Sequence, residues 1–210
     1  MFTQRKRQMS NLIANGKVVD DEWTLVKLPP PPDEKVRKQA GKVVLFKLTG
    51  ENTHTNSQIE SVEIPPEGKV LLPLPLWTLK KQELSNRVSK GEIGVWLETH
   101  ELVESLSCSI SDINKLPVIG VHVERFADGR IFTIGNLLRS RYGFKNELRA
   151  FGDVLRDQLY FLKRCGFDSY LIRNDRSAAD ALASLNDFSE PYQGAVDITQ
   201  PVWRRIDRQG

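Results

Sequence analysis

The chain has 210 residues, 40% of them apolar and 8% aromatic, enough to bury one sizeable core with an appended arm. Thirty basic against 27 acidic side chains leave a formal charge of +3, and the summed field is too weak to argue for a nucleic-acid or membrane partner. Two cysteines, Cys108 and Cys165, do not make a disulfide framework and suit a reducing cytosol; no apolar run reaches the ~18 to 20 residues that cross a bilayer.

The first segment, "MFTQRKRQMSNLIANGK", lacks the continuous apolar stretch of a secretory signal and reads as solvated. In "GKVVDDEWTLVK", the runs Lys17 to Val19 and Trp23 to Val26 flank Asp20, Asp21 and Glu22 as a small hairpin would. The four prolines of "LPPPPDEKVRKQAG" favour an extended connector from Leu28 to Gly41. "KVVLFKL" then reads as a strand, and "TGENTHTNSQIESVEIPPEG" as a polar excursion. Residues 1–67 are therefore expected to form a β arm, 68–195 a core domain and 196–210 a tail.

From Lys69 onward, short apolar runs alternate with helical periods, the pattern that builds parallel sheets through right-handed crossovers. "KVLLPLPLW", "EIGVWLE", "VIGVHV", "ELRAF" and "DSYLIR" are each followed by a helical stretch. The expectation is an α/β fold with a mostly parallel sheet of about five strand-helix units, either doubly wound or a partial barrel, plus the N-terminal β arm. In "NELRAFGDVLRDQLYFLKRCGFD", Asp153 stands where an N-cap belongs and Gly166 where a left-handed C-terminal residue belongs, with Leu155, Leu159 and Leu162 at helical spacing. Arg149, inside a strand beside Leu148 and Ala150, requires a partner or a route to solvent.

Ligands of such sheets bind where the strands end. The strand exits carry Glu98, Thr99 and His100; Glu124, Arg125, Asp128, Gly129 and Arg130; Gly152 and Asp153; and Arg173, Asn174, Asp175 and Arg176. A pocket at this edge would use Asp153 or Glu124 as acid or base and Arg130, Arg149 and Arg173 to hold an anion. In "FADGR", the Asp128–Gly129 turn sets Arg130 at a helix start, where an anion meets a guanidinium and free N–H groups together; alternatively Asp128 shapes the turn and pairs with Arg130 or Arg149. Arg139 and Arg141 sit near a helix C-terminus, where they offset its dipole. His54, His100 and His122 show no metal-ligand spacing with either cysteine, no nucleotide-binding glycine fingerprint is present, and the cofactor stays unassigned. His122, alternating with apolar neighbours, reads as a core or subunit-contact histidine.

"NGKVVDDEW", "GVWLE", "FADGR", "LLRSRYG" and above all "ELRAFGDVLRDQLYFLKRCGFD" resemble a family of small bacterial proteins usually described as oxidoreductases associated with sulfite reduction. The family favours a Gly-Tyr-Ser-like run after its Asp-Gly-Arg, where this chain has Ile131, Phe132, Thr133 and Ile134. The resemblance implies cytoplasmic sulfur assimilation, with sulfite reductase or its electron donor as partner. A sirohaem coupled to an iron–sulfur cluster needs four cysteine thiolates, and this chain has two. On this reading the protein is an accessory component that docks through its arm and the tail "YQGAVDITQPVWRRIDRQG". The alternatives are a small-molecule enzyme at the carboxyl edge and a structural or regulatory homo-oligomer.

Overall fold

The computed structural model describes residues 11–29 and 54–205. The strand expected at Lys42 to Leu48 and most of the Pro-rich connector lie outside them. The strands are β1 (Leu12–Ala14), β2 (Lys17–Val19), β3 (Trp23–Leu25), β4 (Lys69–Pro73), β5 (Ile93–Glu98), β6 (Val118–Val123), β7 (Glu147–Gly152) and β8 (Ser169–Leu171). The helices are α1 (Asn56–Glu60), α2 (Leu74–Lys80), α3 (Ser85–Ser89), α4 (Val103–Ser109), α5 (Arg130–Ser140), α6 (Leu159–Arg164), α7 (Ala178–Leu182) and α8 (Val202–Arg205). None is long and apolar enough to cross a membrane.

All eight strands form one sheet in the order β2-β1-β8-β7-β6-β5-β4-β3. From β3 to β8 every neighbour pair is parallel and consecutive, whereas β1 is antiparallel to both β8 and β2. The mostly parallel α/β expectation holds, and the unbroken strand order carries no reversal of the kind a doubly wound sheet has. The first three strands, placed in an arm by sequence, belong to the same sheet as the rest.

The sheet has to curl. Its two outermost strands, β2 and β3, are separated in sequence only by Asp20, Asp21 and Glu22. Four Cα steps from Val19 to Trp23 span at most about 14 Å. Laid flat, seven strand spacings would put those strands about 34 Å apart.

The hairpin differs from the expected one. β2 pairs with β1 across Asn15 and Gly16, whose φ values of 51° and 71° suit a tight primed turn, while β3 pairs parallel with β4 at the far side of the sheet. Asp20, Asp21 and Glu22 supply no positive φ; instead Asp21 Oδ1 accepts from the Trp23 amide at 3.0 Å and from Arg149 NH1 at 2.8 Å, turning the chain across the sheet interior.

Alternation along the strands makes two apolar layers. Outward residues such as Leu72, Val95, Val121, Leu148 and Tyr170 pack with Leu76, Leu106, Leu138 and Leu162 of the helices in the main core. The inward layer holds Leu71, Trp96, Val118 and Phe151, edged by Trp23, Leu25 and Leu171, with no helix residue among the described residues. Each fully buried side chain of this size contributes roughly 1.5–3 kcal/mol. Gly120 makes the inner layer possible, because a Cβ there would lie 2.9 Å from Phe151 and 3.0 Å from Trp96.

The block from Asn146 to Asp168 is half as expected. Gly166 follows α6 with φ of 96°, and its amide donates to Lys163 O. Asp153 is not an N-cap: α6 begins only at Leu159, after a turn of 3₁₀ helix at Arg156–Gln158, and the carboxylate serves neighbouring loops. Arg139 goes beyond a dipole role, donating to the carbonyls of Gly166, Phe144 and Asn146 and to Asp168 at 2.7–2.8 Å. It ties the end of α5 to the chain on both sides of β7.

Candidate functional site at the carboxyl end of the sheet

Glu98 and His122 are register partners, the former closing β5 and the latter one residue before the end of β6. Both follow the parity of the inward layer, two residues beyond Trp96 and Gly120. His122 Nδ1 lies 2.9 and 3.0 Å from the two Glu98 carboxylate oxygens. The imidazole packs against Phe151 (centroids 5.1 Å apart, planes at 34°) and edge-on to Trp96 (5.7 Å, 72°). Trp96 is itself fixed by its indole N–H, which donates to Val26 O at 3.1 Å.

Gly152 completes the box. It adopts φ of 104°, and a Cβ there would stand 2.3 Å from Val123 O and 2.8 Å from His122 Cδ2. Gly152→Ala is expected to cost at least ~2 kcal/mol by combining backbone strain with this collision. Urea unfolding measures the loss, and displaced His122 ring resonances report the cause.

A carboxylate on Nδ1 assigns that nitrogen the proton and leaves the lone pair on Nε2, on the edge of the ring that faces Gly152. Nε2 has no hydrogen-bond partner among the described residues, and the His122 and Glu98 side chains keep 27% and 28% exposure. An imidazole so held by Glu98 can take a proton at Nε2 and return it. Glu101 closes the turn after β5, its amide donating to Glu98 O at 3.0 Å. Its Oε2 accepts from the Glu98 amide at 2.7 Å. Burial, assisted by the Glu98 charge and opposed by that hydrogen bond, pushes its carboxyl up to about 7.

The residues expected to bind an anion have partners within the chain. Asp128 accepts from Thr99 Oγ1, from the Arg130 side chain at 2.6 and 2.8 Å and from the Arg130 amide at 3.1 Å. The Arg130 guanidinium holds its carboxyl down at about 2. Gly129 is the residue before α5, so the anion place at the head of that helix is taken by Asp128 itself. Asp153 accepts from the Phe126 amide at 2.9 Å and from Arg173 at 2.7 Å, and Arg173 also grips Asp175 at 2.6 Å. Glu124 is exposed beside this network.

Arg149 stands apart from Arg130 and Arg173. It lies on the inward face of β7 two residues before Phe151, opposite Gly120 and Ser169, and binds Glu147 and Asp21. All three arginines are therefore engaged by carboxylates of this chain. Sequence reasoning read His122 as a core or subunit-contact histidine and named Glu98 only as a strand exit. The available signal was parity: each is a polar residue on the inward positions of an apolar strand.

The fold and this site define a class: an α/β protein with a curled, mostly parallel sheet, helices on its outer face, and a histidine–carboxylate pair at the carboxyl ends of its strands. Within that class, the chain belongs to the family described as bacterial protein of unknown function (DUF934), which matches residues 94–203. The match runs from β5 through α8 and so contains Glu98, Glu101, His122, the 124–130 loop, Arg149, Asp153 and Arg173. No curated protein and no solved structure matches the chain.

Proposed function

We propose that this protein performs proton transfer on a small molecule at the carboxyl end of its sheet, as an accessory component of assimilatory sulfite reduction. The observation that carries the chemistry is the Glu98–His122 pair, with Nδ1 held at 2.9–3.0 Å and Nε2 without a hydrogen-bond partner among the described residues. The sulfur role rests on the resemblance of "GVWLE", "FADGR" and "ELRAFGDVLRDQLYFLKRCGFD". Two cysteines cannot hold a four-thiolate cluster, so the electrons for sulfite come from a partner, the reductase or its donor. Because the rim arginines serve the chain's own carboxylates, the reading relies on His122 and Glu98 rather than on anion capture.

The test is a deletion strain of the source bacterium grown on sulfate or on cysteine as the only sulfur source. Growth is expected to fail on sulfate and to proceed on cysteine. Wild-type protein restores it; His122→Gln, which removes a general base worth ~10²–10⁴-fold in rate, does not. Equal growth on both sulfur sources contradicts the sulfur role, and rescue by His122→Gln contradicts the chemistry.

A further inference from the structure

A second feature, independent of the histidine–carboxylate pair, is an aromatic surface along α6. Phe161, Phe188, Tyr192 and Trp203 are 46–67% exposed, and they are half of the exposed large apolar side chains among the described residues. The other four, Val18, Leu79, Leu102 and Phe126, stand on β2, α2 and two separate loops.

The four aromatics are gathered on one side of the helix. Phe161 and Phe188 both rest on the Tyr160 ring, with centroids 5.5 and 4.9 Å from it. Gln193 O accepts from Arg164, one helical turn beyond Tyr160 and on the same face, so the 188–193 segment runs alongside α6. Tyr192 and Trp203 pack together at that end, centroids 5.0 Å apart, with the Val202 amide donating to Tyr192 O at 3.1 Å.

An aromatic side chain presents ~150–250 Å², so these four leave roughly 350–550 Å² in water. That equals the largest apolar patch of a typical monomer, about 300–600 Å², and is about half of the ~800 Å² that each partner gives to a stable interface. The remainder would come from the rim. Arg156 and Asp157 stand one turn before Tyr160 and Phe161, Asp187 precedes Phe188, and Arg204 follows Trp203. All four are exposed, and none has an ion-pair partner among the described residues.

Two cations and two anions around an apolar centre suit a copy of the same surface. Turned through 180°, such a copy sets cations against anions, as an isologous interface requires. A strongly acidic or basic partner would instead meet like charge at half of these positions. The formal charge of +3 opposes self-association only weakly.

We propose that this surface is the interface of a homodimer, in which α6 and the C-terminal aromatics of one copy pack against the same residues of the other.

Sedimentation velocity of the full-length protein at concentrations up to about 100 μM reads the association. A species of twice the 23.9 kDa chain mass is expected. Phe161→Asp, at an exposed position, keeps the fold and raises the dimer dissociation constant at least ~30-fold. Trp203→Ser, at the other end of the surface and outside α6, raises it ~10-fold. Far-UV circular dichroism confirms that each variant is folded. A wild-type monomer at about 100 μM, or a dimer whose dissociation constant neither substitution changes, overturns the proposal.

Discussion

Arg149→Met is expected to lower the unfolding free energy by about 2–4 kcal/mol. The guanidinium is 4% exposed and satisfies Glu147 with Nε and NH2 and Asp21 with NH1. Methionine fills much of the volume but leaves two carboxylates near each other without their shared cation. Breaking a buried pair costs ~3–5 kcal/mol, and the 27–30% exposure of the two acids argues for the lower part of that range. Asp21 lies in the three-residue link between the outermost strands, so the loss also loosens the chain that forces the curl. Urea unfolding at neutral pH gives the value directly. Adding Glu147→Gln and Asp21→Asn to Arg149→Met recovers much of it, because the penalty is the orphaned charge rather than the missing packing. A single variant within about 0.5 kcal/mol of wild type would show that Arg149 does not hold the link.

Glu101→Gln is expected to stabilise the protein above neutrality and to change little in acid. The ordinary carboxyl value of 4.5 is raised to about 7 in the fold, so folding takes up a proton between those limits. The favourable contribution of that uptake is complete below about pH 4.5 and is lost as the pH climbs to about 7. Above that point the wild-type protein buries an ionised carboxylate beside Glu98. Glutamine carries no charge and keeps an oxygen to accept from the Glu98 amide. Paired urea titrations should show a gain of about 2 kcal/mol at pH ~8 and near equality at pH ~5. Parallel pH profiles for the two proteins would contradict the assignment.

The parallel sheet was legible because β5, β6 and β7 are apolar runs bounded by turn residues, the mark of strands covered on both faces. The curl was not, since it depends on where β2 and β3 pair rather than on what they contain. Asn15–Gly16 carried the true hairpin signal, while the symmetric apolar runs around Asp20–Glu22 suggested a pairing that the backbone there cannot turn into. α1, inside the stretch read as a polar excursion, is announced by Thr55 and Gln58, whose side chains cap each other's backbone amides. At the rim, "FADGR" was correctly a turn into a helix, and the pairing of Asp128 with Arg130 was one of the two outcomes it allowed. Arg149 and Arg173 share no rim because Arg149 lies opposite Ser169, four residues before Arg173, a separation that only the register reveals. His122 and Glu98 become a pair only once β5 and β6 are known to be neighbours in that register.

The account turns on the state of one ring, and the ¹⁵N spectrum of His122 under alkaline conditions, where the imidazole is neutral, reads it directly. A protonated Nδ1 with an unprotonated Nε2, reverting toward a mixture of tautomers in Glu98→Gln, is the predicted result. A proton on Nε2 in the wild-type protein, or averaging between tautomers as in a free imidazole, would contradict it.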